Sequence, residues 1–415
     1  MLDPATGIQS YSKSAVKSDL VYIITLRRGA NLDQHLASVR SIATKFDPAS
    51  KQHVEYSWDL PSFHAYAGTF EKDVLDKLRN RDDVASVEES HILGPDPDEM
   101  CGSECEGYIG TKQTYTNQQN EDENTPDQLP PDLIVQKNAP YYLRQISHRD
   151  PANSREGYAY NKSMTVTPRI YIVDSGIDSQ QHDFSCRVVK GYNAAKGKFK
   201  DQLRHGTAVA AVVGGTTYGV LKNCTLIDVR VLAQNSTSTM LLDGVVWAIK
   251  DVLKNPSGRK DSVINMSLGY EIYILESFAM NSLVRAAYAL DVSVVVAAAN
   301  VNSTTTWNDK AIVVGYTDKN FTRSRFSNYG PAVSIFAPGV GIVPKTARGI
   351  DWRRKMSGSS FAAPQVAMML AYLKMLYGIS SARKSMDMLY KLATPGIVKD
   401  TRGSRNRFLY NGSGR

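Results

Sequence analysis

At 415 residues, with 42% hydrophobic and 22% charged residues, the chain has the make-up of a globular protein long enough for two folded units. Its formal charge of +8, from 49 Lys and Arg against 41 Asp and Glu, comes without a finger, a basic stripe or an aromatic platform, so no nucleic-acid partner is expected. No run reaches the roughly 18 to 20 apolar residues of a membrane span; Val292 to Ala299 is only of strand length.

Residues 1–19 have neither a basic n-region nor an apolar h-region, so no secretory signal is visible and a disordered lead-in is expected. Residues 20–93 read as a small α+β unit. VYIITL at 21–26 is a strand, Leu32, Leu36, Val39 and Ile42 share a helical face, Val74, Leu75 and Leu78 mark a second helix, and Val84 to Val87 is a short strand. Two strands around the helices suggest a split βαβ, ferredoxin-like arrangement.

Residues 94–136 read as a flexible acidic linker. Between Gly94 and Pro131 lie nine Asp or Glu, one Lys and almost no aliphatic residue, too little apolar surface to offset the entropy of ordering. The remainder, 137–411 with a tail at 412–415, alternates strands with helices. RIYIVD (169–174), CRVVKGY (186–192), TLIDVRVL (225–232), SVINMSL (262–268), VSVVVAAA (292–299) and AIVVGY (311–316) are apolar, β-branched runs, and helical patterns fall at 207–213, 239–254 and 277–290. That alternation predicts an α/β fold with a parallel sheet covered by helices on both faces.

In such sheets functional groups gather at the carboxyl ends of strands and the amino ends of helices. Asp174 ends RIYIVD, His205 opens TAVAAVV, and Ser360 opens a long apolar helix with Pro364 in its first turn. Acyl transfer needs a nucleophile, a base to take its proton and a carboxylate to orient that base, and these three residues are of the required types. A serine at a helix amino terminus also gains free backbone N–H groups able to hold an oxyanion.

Taken together, IVDSGID, RHGTAVAAVVGG, NMSLGY, VVVAAAN and SGSSFAAPQVA resemble the motifs of the subtilase family, in particular its proteinase K-like branch. The order Asp, His, Ser along the chain is that of subtilisin, and G-x-S-x-G, the mark of α/β-hydrolases, is lacking. The resemblance implies a serine endopeptidase with Asp174, His205 and Ser360 as its triad. It also implies Asn300 and the backbone N–H of Ser360 as oxyanion donors, with Ser267, Leu268, Gly269 and Ala297, Ala298, Ala299 lining an extended peptide substrate. Residues 20–93 resemble the family's propeptide inhibitor, which implies a self-inhibited proenzyme whose maturation cut falls near residue 94 or near LIVQKN at 133–138. A monomer is expected.

Several positions depart from the family pattern. Ala208, Ala211, Tyr270, Ala299, Ser359 and Phe361 replace its usual residues, and added bulk at Tyr270 and Ala299 leaves a weak or inactive peptide-binding homologue as the alternative. The resemblance implies no cofactor for the chemistry. It leaves structural calcium open, because Ser334 stands where proteinase K has a carboxylate ligand. Cys186 and Cys224 precede strands expected to be parallel neighbours and are the disulfide candidates; Cys101 and Cys105 lack a second pair for zinc. Seven N-x-S/T sequons fit a secretory route, to an extracellular, vacuolar or cell-wall destination.

Overall fold

The computed structural model describes residues 20–46, 53–93, 133–152, 156–161, 167–185, 187–268, 277–344 and 355–414. Residues 1–19 and most of the expected linker therefore lie outside it. The chain divides into two compact units: one runs to Ser90 without the turn Leu60–Phe63, and the other holds that turn and everything from His91 onward.

The first unit is built from β1 (Val21–Leu26), α1 (Leu32–Phe46), β2 (His53–Leu60), β3 (Phe63–Thr69), α2 (Lys72–Arg79) and β4 (Val84–Glu89). Its sheet runs β2-β3-β1-β4, with β1 antiparallel to both β3 and β4. Helix periodicity brings Leu32 and Val39 of α1 and Val74, Leu75 and Leu78 of α2 onto Ile24, Leu26, Tyr66 and Val84 of the strands. The hairpin β2–β3 went unread in the sequence although Glu55, Ser57 and Asp59 alternate with Val54, Tyr56, Trp58 and Leu60, the period-two pattern of a half-buried strand.

A histidine is sealed inside this unit. The His35 ring, with no exposed side-chain surface, holds Asp83 at 2.8 Å through Nδ1 and the Tyr66 hydroxyl at 2.9 Å through Nε2. Asp83 is already committed to Arg81, which donates from Nε and Nη2 at 2.8 Å each. A neutral imidazole satisfies both neighbours, donating to Asp83 and accepting from Tyr66. Burial holds the pKa of His35 below its ordinary value, the nearby Arg81 adding to this against the pull of Asp83.

A histidine depressed in the folded state resists a proton that the unfolded chain accepts below about pH 6.5. The stability it supports is therefore complete above that pH and is lost as pH falls. Hydrogen exchange of the amides in β1 and β3, corrected for intrinsic rates, is expected to quicken from pH 7 to pH 5 in the Ser360→Ala protein. His35→Gln is expected to flatten that difference.

The second unit begins with β5 (Ile92–Leu93), β6 (Leu133–Gln136), α3 (Tyr141–Ile146) and β7 (Tyr158–Asn161). Leu133–Gln136, read from sequence as the end of the linker, is an ordered strand antiparallel to β7. There follow β8 (Arg169–Asp174), β9 (Val188–Asn193), α4 (His205–Gly214), β10 (Thr225–Arg230), β11 (Ser236–Thr237), α5 (Ser238–Lys254), β12 (Ser262–Met266), β13 (Ser293–Ala297), β14 (Ile312–Thr317), β15 (Ile335–Pro338), β16 (Thr394–Pro395) and β17 (Arg407–Phe408).

A nine-stranded sheet runs β16-β17-β15-β14-β13-β12-β8-β10-β9 and is parallel except for the β16–β17 pair. Every residue of β12, β13, β14 and β15 is buried, as expected where helices cover both faces. The chain leaves β8 toward β10 on one side and returns to it with β12 on the other. That reversal opens a crevice at the carboxyl end of β8, where Asp174 stands. The helix Ser359–Leu376 is apolar on all sides and is buried from Ser359 to Ala371.

Candidate active site

Asp174 is fully buried at the end of β8. Its Oδ1 accepts the Ser175 N–H and the His205 Nδ1–H, each at 2.7 Å. A buried carboxylate is costly unless hydrogen-bonded. Here the partner is the imidazole on the first residue of α4, so the requirement for a partner also fixes the orientation of the ring. Glycine at 206 follows from the packing: a Cβ there would lie 2.3 Å from Gly176 O and 3.0 Å from Asp174 Oδ1.

Asp201, unread in the sequence as a site residue, ties this corner together. It is buried and accepts from Ser175 Oγ at 2.8 Å, Arg204 N at 2.7 Å, and both the N–H and the hydroxyl of Thr207. Ser175 Oγ in turn accepts the Gly206 N–H at 2.9 Å. Both flanks of the Asp174–His205 pair are thus fastened to one carboxylate. Desolvation raises the pKa of Asp201, and it pushes Asp228, which accepts the Ile177 N–H, up to about 7. Only the placement of Asp201 four residues before His205 could have signalled its part.

Ser360 is the second residue of the helix Ser359–Leu376 and is buried. Its neighbour Phe361 packs against the His205 ring with centroids 5.9 Å apart, so the helix start and the imidazole meet. Asn300 arrives from the far side of β13. Its Oδ1 accepts both the N–H and the hydroxyl of Ser359 at 2.9 Å, which assigns the carbonyl end of the amide and leaves the N–H end to act as a donor. The loop that carries Asn300 is held by the buried Asn328, whose Oδ1 accepts Val301 N at 3.1 Å and Ser303 N at 3.2 Å and whose backbone N–H donates to Ala299 O.

The remaining expected residues fall around this centre. Ser267 and Leu268 are buried just beyond β12, with Ser267 Oγ accepting from Asn265 at 2.9 Å. Ala297, Ala298 and Ala299 are buried at the end of β13; Gly269 and Tyr270 lie outside the described residues. An edge the sequence did not reveal is β11, which pairs antiparallel with β5: Leu93 lies opposite Ser236 and Ile92 opposite Thr237. His91 extends the ladder, donating to Ser238 Oγ and accepting the Ser238 N–H at 2.9 Å. Leu93 is 2% exposed and Ile92 68%, so one side chain of the strand is an anchor and the other faces solvent.

The subtilase family model matches residues 167–408, and the peptidase inhibitor I9 model matches residues 21–94. The chain belongs to the subtilase family. Among similar proteins, the alkaline proteinase of Hapsidospora chrysogena is 35% identical over 402 residues, 95% of this chain and 92% of that one. Alkaline protease 1 of Aspergillus clavatus is 34% identical over 94% of this chain and 91% of its own length. A crystal structure of a cold-adapted subtilisin-like serine proteinase superposes with a TM-score of 0.57 at 33% identity, covering 66% of this chain and 98% of that one. This subtilase is therefore a serine peptidase that carries an inhibitor propeptide, and no helix among its described residues is long and apolar enough to cross a membrane.

Two cysteine and calcium expectations meet the structure only in part. Cys224 is a buried free thiol, pushed up to about 11 by desolvation, with the Arg187 guanidinium 3.6 Å from its sulfur; Cys186 lies outside the described residues. The Ser334 hydroxyl accepts the Val313 N–H and donates to Ala332 O, so it serves the backbone and does not fit the place of a carboxylate ligand.

Ala299 adopts φ +79°, a left-handed conformation one residue before Asn300. For a residue with a Cβ this costs about 1 to 2 kcal/mol, more than the roughly 0.5 to 1 kcal/mol that glycine's extra freedom takes from the folded state. Ala299→Gly is expected to raise the thermal unfolding midpoint, measured by calorimetry in the Ser360→Ala protein.

Proposed function

We propose that Ser360 is the nucleophile, His205 the general base and acid, and Asp174 the group that orients and charge-stabilises the imidazole, in endopeptidase hydrolysis through an acyl-enzyme. The observation that carries this reading is the 2.7 Å hydrogen bond from His205 Nδ1 to a fully buried carboxylate. It fixes the tautomer, because Nδ1 carries the proton and Nε2 is left as the basic nitrogen.

In the first half-reaction, Ser360 Oγ attacks the scissile carbonyl carbon as its proton passes to His205 Nε2. The carbonyl oxygen takes up the negative charge between the Asn300 side-chain N–H and the Ser360 backbone N–H. Collapse expels the amine, which takes the proton from His205. Water then repeats the sequence on the ester and returns the serine. The substrate backbone would add as a strand along Ser236–Thr237 and beside Ser267–Leu268, the edge that β5 now pairs with. The I9 unit and β5 would thus act as the intramolecular inhibitor, and maturation would require a cut beyond Leu93.

No cofactor enters these steps. A monomeric state completes the reading, with a secretory route to an extracellular, vacuolar or cell-wall destination, which the exposed sequons at Asn223, Asn235, Asn302 and Asn320 support.

Asn300→Ala is expected to lower kcat about 100- to 1,000-fold with little change in KM. Ser360→Ala should abolish both self-cleavage and labelling by a fluorophosphonate probe. Labelling that survives Ser360→Ala would place the nucleophile elsewhere.

A further inference from the structure

Residues 188–204 hold five cationic side chains, Lys190, Lys196, Lys198, Lys200 and Arg204, and a single carboxylate, Asp201. All five cations are exposed, while Asp201 is buried and spends its oxygens on Ser175, Arg204 N and Thr207. The acids on neighbouring elements are similarly occupied. Asp174 holds His205, Asp228 is buried against the Ile177 N–H, Asp243 accepts the Tyr192 hydroxyl at 2.6 Å, and Asp178 accepts the Gln181 amide at 2.6 Å.

The loop is fixed in place at both ends, and both ends are at the catalytic pair. Arg230, which lies opposite Asp174 in the sheet register, donates to Asn193 Oδ1 at 2.9 Å and to Lys196 O at 2.8 Å, and its carbonyl accepts Ala194 N and Ala195 N. At the other end Asp201 grips Arg204 N, and the next residue is His205. The cations therefore stand on a braced loop that leads into the imidazole.

We propose that this loop is a specificity element which selects acidic peptides, with Lys196, Lys198 and Lys200 attracting carboxylates that flank the bond to be cut. Charge partition within the chain agrees. Residues 132–415 carry 37 Lys and Arg against 19 Asp and Glu, a net +18, whereas residues 1–131 carry 12 against 22, a net −10. The stretch 94–131, which lies between the two candidate maturation positions, has nine acids and one lysine. Attraction of this kind acts over about a Debye length, roughly 8 Å at physiological salt, and raises encounter with a complementary substrate. It rests on the peptidase reading above and names the substrate class of the same site.

The test uses the full chain, self-processed to its active form, with three matched fluorogenic peptides that carry Asp, Asn or Lys on both sides of one common cut residue. At low salt the Asp peptide is expected to exceed the Lys peptide about tenfold in kcat/KM. The difference should lie in KM and should shrink at 0.5 M salt. In the combined variant Lys196→Glu, Lys198→Glu, Lys200→Glu the preference should reverse while the Asn peptide is cut at an unchanged rate. Equal kcat/KM for all three peptides at every salt concentration overturns the proposal, and needs no variant to do so. A salt effect on the unmutated enzyme that the charge reversal does not move assigns the field to other residues and also overturns it. Failure to cut any of the three would instead count against the peptidase reading itself.

Discussion

The site depends on one constraint: a carboxylate with no access to water needs hydrogen-bond donors. Asp174 draws one backbone N–H and one imidazole N–H, both to Oδ1, while its Oδ2 is buried without a partner, so removing the histidine would strip the charge of one of its two donors, and displacing the carboxylate would release the ring. Asp201 repeats the solution a few ångströms away with hydroxyl and backbone donors. Two desolvated acids thereby convert a solvation problem into positional order for the loop between β9 and α4.

Most of the fold was legible because its strands are unusually plain. A strand buried on both faces needs apolar residues throughout, and RIYIVD, SVINM, SVVVA and IVVGYT carry the signal in their composition. Other strands were not legible. β2, β6, β7 and β11 are short or half-polar, and their pairing comes from tertiary contact that local pattern does not encode. The same division holds at the site. Asp174, His205 and Ser360 sit at strand and helix ends that periodicity can find, whereas the roles of Asp201, Asn328 and the clamp of Ser359 on Asn300 depend on partners 3 to 59 positions away.

The departures from the family pattern read differently in three dimensions. Ser359 keeps a hydroxyl where it is needed to hold the Asn300 amide, so this replacement is chemically silent. Phe361 places an aromatic ring against the His205 imidazole and is wholly buried, a packing role rather than an obstruction. Ala299 keeps the left-handed backbone that glycine adopts without strain, and the tie from Asn328 to its carbonyl helps sustain it. Backbone geometry at the loop that carries Asn300 is therefore maintained by the neighbours, not by the residue that adopts it.

The two-residue ladder between Ile92–Leu93 and Ser236–Thr237 is very small, yet it is intramolecular. While the chain is continuous, the strand faces its edge at a fixed, high effective concentration that no diffusing peptide matches. One cut downstream turns the same contact into an ordinary bimolecular complex, whose occupancy falls with dilution and with destruction of the freed fragment. The timing of activity is then governed by how many molecules share a volume, a property that belongs to the population and not to any single copy.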